Sequence, residues 1–151
     1  MINLSAPLEF DSIVNGEGLR TVIWTQGCLH NCDGCHNPTT HSLQPKYMMG
    51  IDEVVKQIDD SNWYHITFSG GDPMLQPQAC ARIARHIKEH GGTVWCYTGY
   101  TMNQLKLKTN PAMKEFLSYV DVLVDGPYIE SCKTYSHFRG SSNQKILYLA
   151  K

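Results

Sequence analysis

Residues 27–38 read Gly27-Cys28-Leu29-His30-Asn31-Cys32-Asp33-Gly34-Cys35-His36-Asn37-Pro38, and they hold three of the chain's six cysteines. The spacing is Cys-x3-Cys-x2-Cys. Thiolates this close together either bind a soft metal or repel one another, so the run predicts a metal centre. Iron–sulfur clusters usually take four thiolates, and this run provides three. One iron would then keep an open coordination position, as catalytic metals do. The other cysteines are scattered singly, at Cys80, Cys96 and Cys132.

A structural zinc site of three cysteines and one histidine is an alternative, with His30, His36 or His41 as the fourth ligand. Zinc knots usually pair two cysteine knuckles across a dozen or more residues, and the sequence contains no second knuckle. A disulfide framework is a weaker alternative, because three neighbouring cysteines cannot all pair with each other. The spacing therefore favours an iron–sulfur cluster.

The cysteine spacing resembles the signature of radical S-adenosylmethionine (SAM) enzymes. The wider match, from Asn15-Gly16-Glu17-Gly18-Leu19-Arg20 to Cys35-His36-Asn37-Pro38, resembles the glycyl-radical-enzyme activases within that superfamily. Three further motifs resemble those activases that act on anaerobic ribonucleoside-triphosphate reductase. They are Ser69-Gly70-Gly71-Asp72-Pro73, Val124-Asp125-Gly126 and Arg139-Gly140-Ser141-Ser142-Asn143-Gln144.

The resemblance implies an oxidoreductase that binds a [4Fe–4S] cluster through Cys28, Cys32 and Cys35 and uses it to cleave SAM. The resulting radical would remove a hydrogen atom from a glycine of the reductase's large subunit. A low-potential flavodoxin or ferredoxin would supply the electron. Two alternatives stay open: a radical SAM enzyme with a small substrate, and a non-catalytic iron–sulfur or zinc module. A chain of 151 residues leaves little length for a lid over a small molecule, which favours a macromolecular substrate.

Hydrophobic periodicity predicts strands alternating with helices in a single domain, 1–151. Alternation of this kind predicts a parallel sheet with right-handed crossovers. The units are too few for a closed eight-stranded barrel, so we expect an open, partly curved sheet, a reduced form of the partial barrel that the resemblance implies. Strands are predicted at 20–26, 64–68, 93–97, 120–124 and 145–149, and helices around 51–58, 80–87 and 102–107 and after Asn110-Pro111.

Sites in parallel α/β sheets lie at the carboxyl ends of the strands. Four such ends should therefore face one another: residues 26–28, 69–73, 98–100 and 125–127. The resemblance implies that Gly70, Gly71 and Asp72 hold the amino group of SAM, and that Thr98 and Asp125 hold the region of its carboxylate or a nearby cation. Asp72 could instead cap a helix, and Thr98 and Asp125 could form turns.

Two further residues concern the adenine of SAM. Gly34 stands directly before the third cysteine, where many radical SAM proteins have an aromatic residue, and His36 could fill that space. Segments Asn15–Arg20 and Arg139–Asn143 are expected to border the surface on which the reductase docks.

The formal charge of −1 provides no electrostatic footprint for nucleic acid or an anionic membrane. The N-terminal residues lack the basic segment and apolar run of a signal peptide. Together with unpaired cysteine usage, these features predict a cytoplasmic protein. Cys80 and Cys96 fall on predicted core positions, where free cysteine behaves as a small hydrophobic residue. The aromatic residues Trp24 and Tyr97 are likewise assigned to the core or the surface of the sheet.

Overall fold

The computed structural model describes residues 1–28, 42–136 and 138–149. Within these ranges, eight strands form one sheet and four α-helices pack on it. The strands are β1 (Ile2–Leu4), β2 (Glu9–Ser12), β3 (Arg20–Thr25), β4 (Tyr47–Met49), β5 (His65–Gly70), β6 (Thr93–Tyr97), β7 (Val122–Asp125) and β8 (Lys145–Tyr148). The helices are α1 (Ile51–Ser61), α2 (Pro77–Glu89), α3 (Met102–Leu107) and α4 (Pro111–Tyr119).

The sheet has the order β4-β1-β3-β5-β6-β7-β8, and β2 also pairs with β3. Strands β3, β5, β6 and β7 run parallel, as the βα alternation predicts. The predicted all-parallel sheet is wrong at both flanks, because β1, β2, β4 and β8 pair antiparallel with their neighbours. Sequence analysis does not predict β1 or β4, which are three residues each and too short for a periodic signal. The open α/β sheet is confirmed, whereas its curvature into a partial barrel stays a prediction.

Helix α4 begins where the Asn110-Pro111 pair predicts. Asn110 caps α4 by accepting from the N–H groups of Ala112 and Met113, and Pro111 follows in the first turn. Helix α1 buries Val54 and Ile58, which are four residues apart and therefore lie on one face of the helix. None of the helices in the described ranges is long and apolar enough to cross a membrane.

The helices share one core against a single face of the sheet. Phe68 of β5 meets Phe116 of α4 edge to face, with ring centroids 5.1 Å apart. Cys80 and Cys96 lie fully buried in this core, which confirms their predicted packing role. A smaller cluster covers the opposite face, formed by Trp95, Val122 and Val124 with Tyr97, Phe138 and Ile146 packed against them.

Arg20 braces the amino ends of the parallel strands from inside the protein. Its Nε donates to Thr67 Oγ1 at 2.9 Å, and its Nη2 donates to the carbonyls of Ile66 at 2.8 Å and Thr93 at 3.0 Å. Burial lowers the pKa of Arg20 to about 10, so the guanidinium is still charged at neutral pH. Arg20 therefore joins β3, β5 and β6, and it does not reach the surface as a docking residue would.

Candidate metal and cofactor site

A pocket of about 290 Å³ lies at the carboxyl ends of the four parallel strands. All four strands contribute to its wall, which confirms that the predicted strand ends converge. Cys28 follows β3, Gly71 follows β5, Thr98 follows β6 and Gly126 follows β7. The rest of the lining is Val14, Asn15, Trp24, Ser69, Gly70, Tyr97, Gly99, Tyr128, Phe138, Arg139, Gly140 and Gln144.

Backbone hydrogen bonds hold the start of the cysteine run against the glycine turn after β5. Gly71 N donates to Thr25 O at 2.9 Å, and Asp72 N donates to Gly27 O at 2.8 Å. The β3–β5 pairing thus continues to the residue before Cys28, whose half-buried side chain contributes to the pocket wall.

The described residues on either side of segment 29–41 lie at this edge of the sheet. Ser42 follows the segment, and its carbonyl accepts a 2.9 Å hydrogen bond from Gln26 Nε2. Cys32, Cys35, Gly34 and His36 belong to this segment and lie outside the described residues. Of the predicted metal ligands, Cys28 alone falls within the part of the chain that the structure describes.

Asp72 is fully buried and accepts hydrogen bonds from protein donors on two elements. Its Oδ1 accepts from Met74 N at 2.9 Å, which caps the 3-10 turn Pro73–Leu75 and confirms the cap alternative. The Thr98 hydroxyl donates to the same carboxylate, with Oγ1 3.0 Å from each oxygen, and Gly99 N donates to Oδ2 at 3.0 Å. The carboxylate therefore ties the end of β5 to the end of β6, and it holds Thr98 and Gly99, two of the residues that line the pocket.

Asp125 is also buried, and it is not among the residues that line the pocket. Its Oδ2 accepts from Met102 N at 2.8 Å at the start of α3. Its Oδ1 accepts from Lys145 N at 3.2 Å at the start of β8. Asp125 thus fixes two neighbouring elements, and its predicted contact with SAM stays a prediction.

Gly70 has a structural requirement of its own. Its φ is +106°, and a Cβ added there would lie 2.3 Å from Thr25 O and 2.6 Å from Thr25 N. The close approach that glycine permits is therefore made by the neighbouring strand β3.

Comparison with known proteins agrees with this arrangement. A family model described as "4Fe-4S single cluster domain" matches residues 14–147. The chain is 34% identical to the anaerobic ribonucleoside-triphosphate reductase-activating protein of Escherichia coli (strain K12) over 148 residues, covering 91% of this chain and 93% of that protein. The protein of the same name from Enterobacteria phage T4 is 34% identical over 148 residues, covering 93% of this chain and 88% of the relative. The chain belongs to the family of anaerobic ribonucleoside-triphosphate reductase-activating proteins.

In this family member, aromatic residues line the pocket at positions that sequence analysis assigns to the core or the sheet surface. Trp24 is the register partner of Ser69, and both line the pocket. Tyr97 directly precedes Thr98, and burial raises its pKa, so its hydroxyl keeps its proton at neutral pH. Adjacency to the predicted strand ends is the signal that could have identified Trp24 and Tyr97.

The Arg139–Gln144 segment of this activating-protein fold forms a hydrogen-bonded wall. Gln144 Oε1 accepts from Gly140 N at 2.8 Å, and Gln144 Nε2 donates to Gly126 O at 3.0 Å. Arg139 Nη1 donates to the Gln144 carbonyl at 3.1 Å, and its Nη2 donates to Ser136 Oγ at 2.9 Å. Gln144 thereby attaches the segment to the end of β7, beside the pocket.

Proposed function

We propose that this chain activates an anaerobic ribonucleoside-triphosphate reductase, using a [4Fe–4S] cluster and SAM to generate a glycyl radical on that partner. The observation that carries the proposal is the pocket at the strand ends, where Cys28, Gly71 and Thr98 share one wall. The names of the relatives, and the cluster family model over residues 14–147, support the same function.

The donor set suits an iron–sulfur cluster. Cys28, Cys32 and Cys35 are the proposed ligands, because thiolates are the soft donors that such clusters take. Burial raises the pKa of the Cys80 and Cys96 thiols, so both stay protonated and are poor ligands. When bound, the cluster would supply an electron to SAM, and SAM would supply the radical chemistry that removes a hydrogen atom from the glycine of the partner.

The protein's part is to bind and orient the cofactor. We assign the amino end of SAM to the Gly70–Gly71 backbone and the Thr98 side of the pocket. Asp72 acts from behind this wall, because its carboxylate holds Thr98 and Gly99 in position. Trp24 and Tyr97 line the same space, where their rings would shield the bound cofactor from water. Gly34 and His36 remain proposed neighbours of the adenine, and Asp125 a proposed neighbour of the SAM carboxylate.

The exposed residues at the rim of the pocket support the proposal that the substrate is a macromolecule. Ile13 and Val14 are 68% and 70% exposed, and Val14, Asn15 and Arg139 all line the pocket. Two exposed aliphatic side chains beside a cofactor pocket suit contact with a protein partner. We therefore assign the docking surface of the reductase to Ile13–Asn15 together with Phe138–Gly140.

Electron paramagnetic resonance (EPR) of the dithionite-reduced, cluster-loaded protein tests the proposal. Adding SAM should change the cluster spectrum and yield 5′-deoxyadenosine, and adding purified reductase should yield a glycyl-radical signal. Cys28→Ala is the control that should abolish all three effects. A cluster EPR spectrum that does not change when SAM is added would favour a non-catalytic module. SAM cleavage without a glycyl radical in a competent reductase would favour a small-molecule substrate.

Arg139→Ala tests the docking assignment. The change removes the hydrogen bonds to Ser136 and to the Gln144 carbonyl, so the rim segment loses its fixed shape. SAM cleavage under artificial reduction should persist, whereas glycyl-radical yield should fall at least about tenfold, because hydrogen transfer needs reacting atoms held close together. Lys114→Ala, on the exposed side of α4, is the matched control. Loss of SAM binding with docking intact would assign Arg139 to the cofactor pocket instead.

A further inference from the structure

A second group of metal-ligating side chains lies on the helical side of the molecule. Asp59 of α1, His86 of α2 and His90 at the C-terminal cap of α2 offer one ligand atom each, all within 4.8 Å of one another. Two histidines four residues apart on a helix share one face, which is a common way for a helix to hold a transition metal.

Hydrogen bonds already orient two of these groups. His90 Nδ1 lies 2.8 Å from the His86 carbonyl, so Nδ1 carries the proton and Nε2 keeps its lone pair for a ligand. Asp59 Oδ1 lies 2.8 Å from His86 Nε2 and accepts from the Tyr64 hydroxyl at 2.7 Å. The Tyr64 ring stacks on His90, with centroids 4.6 Å apart and planes inclined by 9°. The cluster therefore has outer contacts of the kind that surround protein metal sites.

We propose that Asp59, His86 and His90 bind one Zn²⁺ ion. Tetrahedral zinc with bonds of about 2.0–2.2 Å separates its ligand atoms by roughly 3.3 Å, so these side chains need shifts of only about 1 Å. Two imidazoles favour zinc over Mg²⁺ or Ca²⁺, which prefer oxygen ligands. On binding, zinc takes the place of the proton that His86 Nε2 donates to Asp59; the imidazole then carries its proton on Nδ1, with solvent water taking up the Nε2 proton and supplying the Nδ1 proton, and water fills the fourth position.

The surroundings favour a cation. Asp59 lies in the last turn of α1, and His86 and His90 lie at the end of α2, so two helix C-termini with partial negative charge converge there. The hydrogen bonds from His86 and Tyr64 lower the pKa of Asp59, which keeps its carboxylate ionised.

The zinc site is separate from the cofactor pocket. Tyr64 directly precedes β5, so the site lies at the amino ends of the parallel strands, whereas the pocket lies at their carboxyl ends. The six residues of β5 span about 20 Å between these two edges. Zinc at this position would cross-link α1 to α2 without touching the cysteine run.

Isothermal titration of the cluster-loaded protein with Zn²⁺ under anaerobic conditions tests the proposal, since iron occupies the thiolates of the cysteine run. His90→Phe keeps the ring stacked on Tyr64 but removes the nitrogen, and Asp59→Asn removes the carboxylate. Each should weaken zinc binding at least about tenfold, because each removes one of three ligands. Asp60→Asn is the matched control, since that neighbouring carboxylate pairs with Lys56 on the same helix and should leave zinc affinity unchanged.

X-ray absorption at the zinc edge gives an independent measurement on the same samples. Two imidazole ligands in the wild type and one in His90→Phe would support the site. Wild-type protein without a saturable zinc equivalent would overturn the proposal, and so would equal affinity in the wild type and His90→Phe. Neither result would bear on SAM cleavage, which uses the opposite edge of the sheet.

Discussion

We expect Asp72→Ala to act mainly by lowering the free energy of unfolding, and only secondarily by weakening the binding of SAM. The carboxylate accepts from Met74 N, Thr98 Oγ1 and Gly99 N, and it is fully buried. A hydrogen bond to a charged acceptor contributes about 1.5–3 kcal/mol net, so three independent bonds would sum to about 4.5–9 kcal/mol. The three bonds share one carboxylate whose burial is itself unfavourable, so we expect a loss of about 3–5 kcal/mol.

Thr98 provides the matched variants. Thr98→Val keeps the shape of the side chain but removes the hydroxyl that donates to Asp72, and should cost about 1.5–3 kcal/mol. Thr98→Ser keeps the donor and should cost less than about 1 kcal/mol. In the double variant Asp72→Ala/Thr98→Val, the Thr98 change should cost less than it does alone, because the Asp72 carboxylate is already gone and only the 3.2 Å hydrogen bond that Thr98 Oγ1 accepts from Tyr100 N is still lost.

Anaerobic urea unfolding of the cluster-loaded protein, followed by circular dichroism, measures these free energies. SAM affinity comes from an EPR titration of the same preparations. If Asp72→Ala kept wild-type stability and lost SAM binding, the carboxylate would contact the ligand directly, as the sequence resemblance implies. Additive losses in the double variant would show that Thr98 and Asp72 do not act as a pair.

Three further predictions follow from the described contacts. Cys28→Ala should lose cluster iron, whereas Cys80→Ala and Cys96→Ala should retain it, since both thiols lie protonated in the core; iron analysis after anaerobic reconstitution checks this. Gly70→Ala should prevent correct β3–β5 pairing and reduce the yield of soluble protein, because the added Cβ would lie 2.3 Å from Thr25 O. The control Gly126→Ala places its Cβ no closer than 3.7 Å to any atom, so it should lower the free energy of unfolding by only about 1–2 kcal/mol, through its positive φ. Equal yields would contradict this steric argument. Burial, and then the nearby charge of Arg20, lower the pKa of His65. As the pH falls below about 6.5, His65 therefore takes up a proton in the unfolded chain before it does so in the folded protein. The free energy of unfolding falls with the pH until the pH passes the lowered pKa of His65 in the folded protein. Urea unfolding between roughly pH 7.5 and 5 should show this loss in the wild type and a flatter profile in His65→Gln, and parallel profiles would refute it.

The parallel centre of the fold is predictable because its signals are local. Each of β5, β6 and β7 is a short run that ends in glycine or a polar turn, and α2, between β5 and β6, has the amphipathic spacing of a helix that packs on a core. The convergence of the strand ends then follows from the topology of parallel sheets. The pocket edge was therefore predictable without knowledge of any ligand.

The assignment of side chains to the two faces of the sheet was not predictable. Strand β3 is buried along nearly its whole length, from Arg20 to Thr25, so it lacks the alternation of polar and apolar residues that identifies a face. Trp24 and Tyr97 consequently read as ordinary core aromatics. Asp72 shows a related limit, since its partners Thr98 and Gly99 lie 26 and 27 residues away in sequence.

Because the chain reverses direction after β7, the segment Arg139–Gln144 lies at the pocket formed by the carboxyl ends of the parallel strands. A parallel return would need a crossover, usually helical, and in the described part of residues 126–144 the only helical element is the 3-10 turn Glu130–Cys132. The chain instead returns antiparallel, with Lys145 paired to Asp125 at the pocket edge. In a parallel arrangement the start of β8 would lie at the other edge, about 13 Å away along the four residues of β7. Asp125, which accepts from Lys145 N, therefore fixes the position of the pocket wall that Gln144 and Arg139 form.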